Sequence, residues 1–230
     1  DQAKYIDQVQ KAMKDYNFVD VRDTLMDHND EYIYYKTDHH WTSAGACLAY
    51  DVWSERTGGE AETEDGLVKN VVSDKFRGSL YSKILDADSA YDEIWTYGLQ
   101  KDDAFGSKDC TVTIDEKQQL DSIYDDEMLQ KKDKYAYFLS GNYGQVHIQN
   151  QKAASKAKGK NILIIKDSFA NSFVPFVTQD YENIYMVDLR YYNGDMKSYL
   201  QEHNITDVLV LYNISNFISD RNLHKLTGGI

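Results

Sequence analysis

The segment Asn161–Val177, NILIIKDSFANSFVPFV, decides how the rest of the chain is read. Asn161–Ile165 is a continuous apolar run bounded by polar residues, the pattern of a central parallel strand. "KDSFANSFVPFV" follows as a turn and a helix, with Pro175, the chain's single proline, kinking or restarting it. Beyond it, "NIYMVDL" reads as a strand, "GDMKSYLQEHN" as a helix and "DVLVLYN" as a strand. Strands alternating with helices of this length imply βαβαβ connections and a doubly wound parallel sheet.

Upstream, Tyr5, Ile6, Val9, Met13 and Tyr16 recur at helical spacing, so Ala3–Tyr16 is predicted to be an amphipathic helix leading into a short strand, "FVDV". "YIYY" (Tyr32–Tyr35) reads as a second strand, followed directly by Asp38, His39, His40 and Trp41. "TSAGACLAYDVWSERTGG" is a helix, with Thr42 or Ser43 as N-cap and Gly58 and Gly59 at its end. Asp38–Trp41 therefore lie on a strand-to-helix turn, and in an open α/β sheet such turns sit where ligands bind. The middle, from about Ala61 to Asp133, is less regular. It holds polar runs such as "EAETEDG", short strands near "EIWTYGL" and "CTVTIDE", and the acidic "YDDE". It reads as an insertion or cap on one α/β domain spanning residues 1–230. No internal repeat occurs, and the only compositionally biased stretch is the Lys/Ala linker "NQKAASKAKGK".

A chain of 230 residues with 42% apolar side chains can bury one large core, which excludes disorder. Its formal charge of −13 repels phosphate backbones and anionic membrane surfaces, so no nucleic-acid partner is expected. No run approaches the roughly 18 apolar residues of a membrane span. Two cysteines, Cys47 and Cys110, make no disulfide framework. The opening "DQAKYIDQ" has neither an initiator Met nor a secretory signal, so a trimmed or mature fragment is expected. The 19 tyrosines suit sugar or peptide ligands, although rings with a wet tip also pack at core edges.

Three polar clusters fall at these strand ends. Ser168 follows the central strand and opens a helix, whose N-terminal N–H groups and partial positive charge suit an acyl-transfer nucleophile. Asp38 and His40 could supply the orienting acid and the base, since a separation of two residues lets both side chains leave an extended turn on one side. In "FLSGNYG" the pair Gly141–Asn142 offers a sharp turn, a backbone N–H and a carboxamide, the parts of an oxyanion hole. "DLRYY" places Arg190, Tyr191 and Tyr192 at the same edge to hold a polar substrate, and Trp41 and Asn171 join the candidate substrate contacts. Each cluster has a plainer reading. "DS" after a strand is commonly an N-cap, Asp38 could cap the next helix, and Gly-Asn is a common turn pair. Asp38, His39 and His40 could also ligate a metal, but adjacent histidines do not easily aim both rings at one ion; no metal and no cofactor are expected.

Together, "YYKTDHHWTSAGA", "KYAYFLSGNYG", "LIIKDSFANSFVPF" and "VDLRYY" resemble the bacterial DHHW protein family, from about Tyr32 to Asn213. That family is similar to the alginate O-acetyltransferase-type proteins of the SGNH hydrolase superfamily. The resemblance implies a three-layer α/β/α, flavodoxin-like parallel sheet with circularly permuted block order: the Asp/His block precedes the serine, and Lys166 stands where ordinary members carry glycine. It implies a Ser168–His40–Asp38 triad, with His39 in the variable position. It further implies an esterase or O-acyltransferase acting on O-acetyl groups of a bacterial surface or extracellular glycan, in an extracytoplasmic setting. An acyl-donor membrane partner would serve the transfer reaction. A non-catalytic carbohydrate-binding or assembly protein on the same scaffold is the alternative.

Overall fold

The computed structural model describes residues 1–59, 66–85 and 88–227. In chain order these form α1 (Gln2–Ala12), α2 (Arg22–Asp27), α3 (Ser43–Arg56), β1 (Val68–Phe76), α4 (Ser79–Ile84), β2 (Asp92–Gln100), β3 (Asp103–Ala104), β4 (Cys110–Ile114), β5 (Gln118–Leu120), β6 (Gln145–Asn150), β7 (Asn161–Lys166), α5 (Ala170–Val177), β8 (Asn183–Val187), α6 (Met196–Glu202), β9 (Asp207–Leu211) and α7 (Ile214–Ser219). The protein is a mixed α/β structure. Among the described residues, no helix is long and apolar enough to cross a membrane.

Strand β7 pairs in parallel with β8 on one side and β9 on the other. Side chains alternate across a strand, so one buried on both faces must be apolar at successive positions. Accordingly Ile162 and Ile164 pack in one buried cluster with Phe173, Val174 and Val177 of α5 and with α3. Leu163 and Ile165 pack in a second cluster with Tyr199 and Met196 of α6. Pro175 lies within α5 without ending it.

The sheet as a whole is not parallel. Its order is β5-β4-β6-β8-β7-β9, with β6 antiparallel to β8 and β4 antiparallel to both β6 and β5. The expected parallel sheet holds only for β7, β8 and β9. The reason is visible in β6, QVHIQN, where buried Val146 and Ile148 alternate with more exposed Gln145, His147 and Gln149. Such alternation suits antiparallel strands.

The expected strands near "EIWTYGL" and "CTVTIDE" are β2 and β4, but they enter different sheets. β2 lies between β1 and β3 in a three-stranded sheet, whereas β4 extends the main one. Residues 60–65, in the polar run "EAETEDG", lie outside the described residues. Two expected strands are not formed. "FVDV" is irregular, and "YIYY" contributes only one bridge, Tyr34 to Trp41. The physical cause is local competition for the backbone donors after Tyr35: Lys36 N–H and Thr37 N–H go to the Asp92 carboxylate instead of to a neighbouring strand.

Candidate active site

The Asp38–Trp41 segment sits on a folded-back loop. Thr42 N–H donates to Ile33 O at 2.9 Å and Tyr35 N–H to His40 O at 3.2 Å, closing the loop at its base. The Thr42 hydroxyl donates to Tyr32 O and accepts from Gly45 N–H, capping α3. From the side, buried Asp92 accepts Lys36 N–H at 2.9 Å, Thr37 N–H at 2.7 Å and the Thr37 hydroxyl at 2.5 Å, and also the Tyr32 hydroxyl. A carboxylate saturated in this way leaves the loop little freedom.

Asp38 and His40 leave that loop on one side. Asp38 Oδ1 lies 2.5 Å from His40 Nδ1 and accepts His40 N–H at 3.0 Å. Its Oδ2 accepts Ser79 N–H, in the first turn of α4, at 2.7 Å. Burial pushes the Asp38 carboxyl up, but the His40 imidazole and these N–H donors outweigh it and hold the group well below the usual carboxylate range. On the far side of the ring, His40 Nε2 lies 2.7 Å from Ser168 Oγ. Asp38, His40 and Ser168 are all buried. Tyr135 stacks flat on the His40 ring, centroids 3.8 Å apart and planes 6° from parallel.

The turn carrying Ser168 is tied down on every side. Asp167 accepts Phe169 N–H through Oδ1, and through Oδ2 accepts Asn213 N–H and Asn216 Nδ2 beside and within α7. The Trp41 indole N–H donates to Phe169 O and Ser172 Oγ, each at 3.0 Å. The Tyr135 hydroxyl donates to Ser168 O at 3.0 Å. Among the described residues Ser168 N–H meets no protein acceptor, while Phe169 N–H is spent on Asp167.

Beside this turn runs the Gly141–Asn142 loop, where Leu139, Ser140 and Gly141 have φ of 61°, 58° and 121°. Non-glycine residues in the left-handed region each cost about 1 kcal/mol or more, so surrounding bonds must hold them there. Asn171 Nδ2 donates to Gly141 O at 3.1 Å, and Lys166 supplies the rest. Only 1% of the Lys166 surface is exposed, and its Nζ donates to Asn142 Oδ1 at 2.8 Å and Asn171 Oδ1 at 2.7 Å. An ammonium offers donors only, so it fixes which end of each carboxamide is oxygen. Asn142 Nδ2 is thereby left to donate elsewhere. Burial pushes the Lys166 ammonium down to about 8; Asp188 and Asp167 pull it upward, and Arg190 presses it down.

The sequence-predicted residues thus divide. Ser168, His40 and Asp38 converge, with Gly141 and Asn142 linked to them through Asn171 and Lys166. Trp41 and Asn171 are both buried, and their polar groups bond within the protein. Arg190, itself exposed, forks onto buried Asp188, with Nε at 2.9 Å and Nη2 at 2.5 Å, and so neutralises that carboxylate. Tyr191 is exposed. His39 faces outward, with Nδ1 2.7 Å from Ser79 Oγ. The ligating atoms of Asp38, His39 and His40 lie within 4.8 Å of one another. Both His40 nitrogens already face Asp38 and Ser168, so a cation there would have to displace one of those contacts.

Tyr135, Asp92, Ser79 and Gly78 were not foreseen. A Cβ on Gly78 would fall 2.2 Å from Asp38 Oδ2, so this position keeps the carboxylate in place by having no side chain. Nothing in "FRGSLYS" marks that contact, which crosses some forty residues of sequence.

Fold and site together define a mixed α/β protein in which buried Asp38, His40 and Ser168 are joined by hydrogen bonds. The chain belongs to the DHHW protein family, whose sequence model matches residues 3–187. It is similar to the crystal structure of a DHHW family protein from Eubacterium siraeum, with 24% identity and a TM-score of 0.80 over 98% of this chain and 73% of that one. It is also similar to Bacillus cereus PatB1 carrying a sulfonyl adduct, with 24% identity and a TM-score of 0.68 over 90% of this chain and 70% of that one. At these identities the likeness is one of fold. No curated relative matches the chain.

Proposed function

We propose that this protein is an SGNH-like serine esterase or O-acyltransferase acting on O-acetyl groups of a bacterial surface or extracellular polysaccharide, outside the cytoplasm. The observation that carries this reading is the His40 imidazole, 2.5 Å from Asp38 Oδ1 and 2.7 Å from Ser168 Oγ. A serine hydroxyl is a weak nucleophile until an imidazole removes its proton, and a carboxylate on the other nitrogen fixes the tautomer that can do so. Ser168 Oγ attacks the ester carbonyl carbon, its proton passes to His40 Nε2, and the carbonyl π electrons move onto oxygen. Ser168 N–H and Asn142 Nδ2 receive that oxyanion. Collapse expels the sugar alkoxide, which takes the proton from His40 and leaves an acyl-Ser168. Water as second acceptor gives hydrolysis; in transfer, a membrane partner's acyl donor loads Ser168, its own leaving group departing with the His40 proton in place of the sugar alkoxide, and a sugar hydroxyl is the acceptor. In the same reading the fold is a permuted three-layer SGNH arrangement, with the Asp/His block ahead of the serine.

The sulfonyl adduct on PatB1 supports the reading, since sulfonyl groups are captured by nucleophiles. The test pairs a chromogenic acetyl ester with a sulfonyl fluoride. Turnover is expected, and the reagent should stop it while adding one sulfonyl group to Ser168, read by peptide mass spectrometry. Labelling elsewhere with loss of activity, or no ester turnover at all, would sink the proposal and favour the non-catalytic glycan-binding alternative.

Two further outcomes are expected. Turnover should survive exhaustive treatment with a chelator, because both His40 nitrogens are engaged, Nδ1 with Asp38 and Nε2 with Ser168; loss of activity restored by zinc would reverse this assignment. Gly78→Ala should push Asp38 away from His40. Its expected effect is a fall of about 10²-fold in kcat, within the range general-base catalysis supplies. The crowding should also cost about 1–3 kcal/mol of stability. Unchanged kinetics would show that Asp38 tolerates displacement.

A further inference from the structure

A cleft of about 400 Å³ lies between the β4–β5 turn, the segment after β8 and α6, and takes no part in the Asp38–His40–Ser168 hydrogen bonds. Its volume lies in the roughly 300–1,000 Å³ range of small-molecule sites. Its lining includes Tyr191 and Tyr192 after β8, Tyr199 and Glu202 of α6, and Asp115 and Glu116 of the β4–β5 turn. Its position follows from strand register. Gln145, on the cleft wall, pairs with Val187 at the end of β8, and Val187 pairs with Ile165 of β7, three residues before Ser168. The Gln145 end of the cleft therefore lies toward the edge that carries Ser168: Gln145 and Ile165 are two strand spacings, roughly 10 Å, apart, and the three residues from Ile165 to Ser168 add further distance.

The lining is preorganised. Tyr191 N–H and Tyr192 N–H both donate to Asp188 O, at 3.0 and 2.9 Å, fixing where the two rings leave the backbone. Tyr192 meets Tyr199 edge to face at 5.5 Å, and Tyr191 stays 55% exposed. Gln145 holds both acids of the β4–β5 turn, its N–H on Asp115 and its carboxamide on Glu116. Burial, and then the charges of Glu202, Asp195 and Glu116, push the Tyr192 hydroxyl up, which reports a locally negative field. Arg190 lies over the Tyr191 ring, but its charge is taken by Asp188. Exposed tyrosine faces suit the C–H face of a sugar ring, and carboxylates accept from sugar hydroxyls. The same carboxylates repel uronates and phosphates.

We infer that this cleft is a docking subsite for a glycan chain free of acidic groups, holding residues of the polysaccharide a short way along the chain from the ester at Ser168. The inference rests on the proposed function for its orientation toward Ser168. Binding is tested by calorimetric titration of the full chain with chitopentaose and cellopentaose, and with pentagalacturonate as the acidic counterpart. At least one neutral oligosaccharide should bind, pentagalacturonate should not, and Tyr191→Ala should weaken neutral binding at least tenfold at an unchanged melting temperature. Glu202→Lys should let pentagalacturonate bind. Failure of both neutral probes, preference for pentagalacturonate in the wild type, or binding indifferent to Tyr191→Ala overturns the inference. Acetyl-ester turnover by the same wild-type protein separates the two proposals. Turnover without neutral binding removes the subsite alone, whereas binding without turnover removes the esterase and leaves a glycan-binding cleft.

Discussion

Ser168→Ala is expected to lower kcat for an acetyl ester by about 10³-fold or more, because removing the nucleophile leaves only positioning and oxyanion donors. The Ser168 hydroxyl bonds His40 Nε2, so the substitution removes that contact and should leave the fold intact. His40→Ala should cost about as much, and the double variant little more, since groups acting as one unit are not additive. The adjacent histidine supplies the internal control. His39 lies outward against Ser79, and burial, followed by the nearby His40, lowers its tendency to carry charge. His39→Ala should therefore cost less than about tenfold, outside the 10²–10⁴ attributed to a general base. Steady-state kinetics on the three single variants and the double variant check this. A larger loss in the His39 variant than in the His40 variant would overturn the proposed division of roles.

What could be read in advance, and what could not, follows from the range of the interactions involved. The β7 strand and its turn were legible because burial on both faces writes an unbroken apolar run. Asp38 and His40 were legible because a separation of two residues carries its own geometry. The antiparallel half of the sheet was not, because β6 mixes His and Gln with two apolar residues and sits just after a glycine-containing turn. "YIYY" misleads for a different reason. Its composition favours a strand, but Asp92, more than fifty residues away, takes the donors that follow it. Arg190 is a candidate substrate contact in "DLRYY", and the same motif holds the acid it forks onto, fully buried Asp188, a pairing that only the fold makes plain. Trp41 is a candidate substrate contact in the sequence, and its indole N–H secures the Ser168 turn through Phe169 O and Ser172 Oγ.

Lys166 carries the second large effect. Its ammonium holds Asn142 Oδ1 and Asn171 Oδ1, and Asn171 in turn holds the left-handed turn at Gly141. Lys166→Met keeps length and removes the charge and both bonds. Losing one oxyanion donor costs about 10²–10³ in kcat, and Lys166 acts through such a donor, so about 10²-fold is expected at pH 7 with KM for a small ester little changed. The pH profile separates this from simple damage. Burial lowers the folded-state value from the ordinary 10.5 to about 8, with Asp188 and Asp167 favouring the ammonium and Arg190 opposing it. Between those values the unfolded chain binds more protons than the folded one, so this group makes stability rise with pH through that window, by at most about 3 kcal/mol. Below pH 8 the cost of burying the charge is present in full. Activity runs the other way: as pH rises through 8, Lys166 loses the charge that orients Asn142, and wild-type kcat should fall toward that of Lys166→Met, which should lack this alkaline limb. An identical limb in both proteins, or an unchanged kcat at pH 7 in the variant, would leave Lys166 as packing alone and remove Asn142 from the oxyanion site.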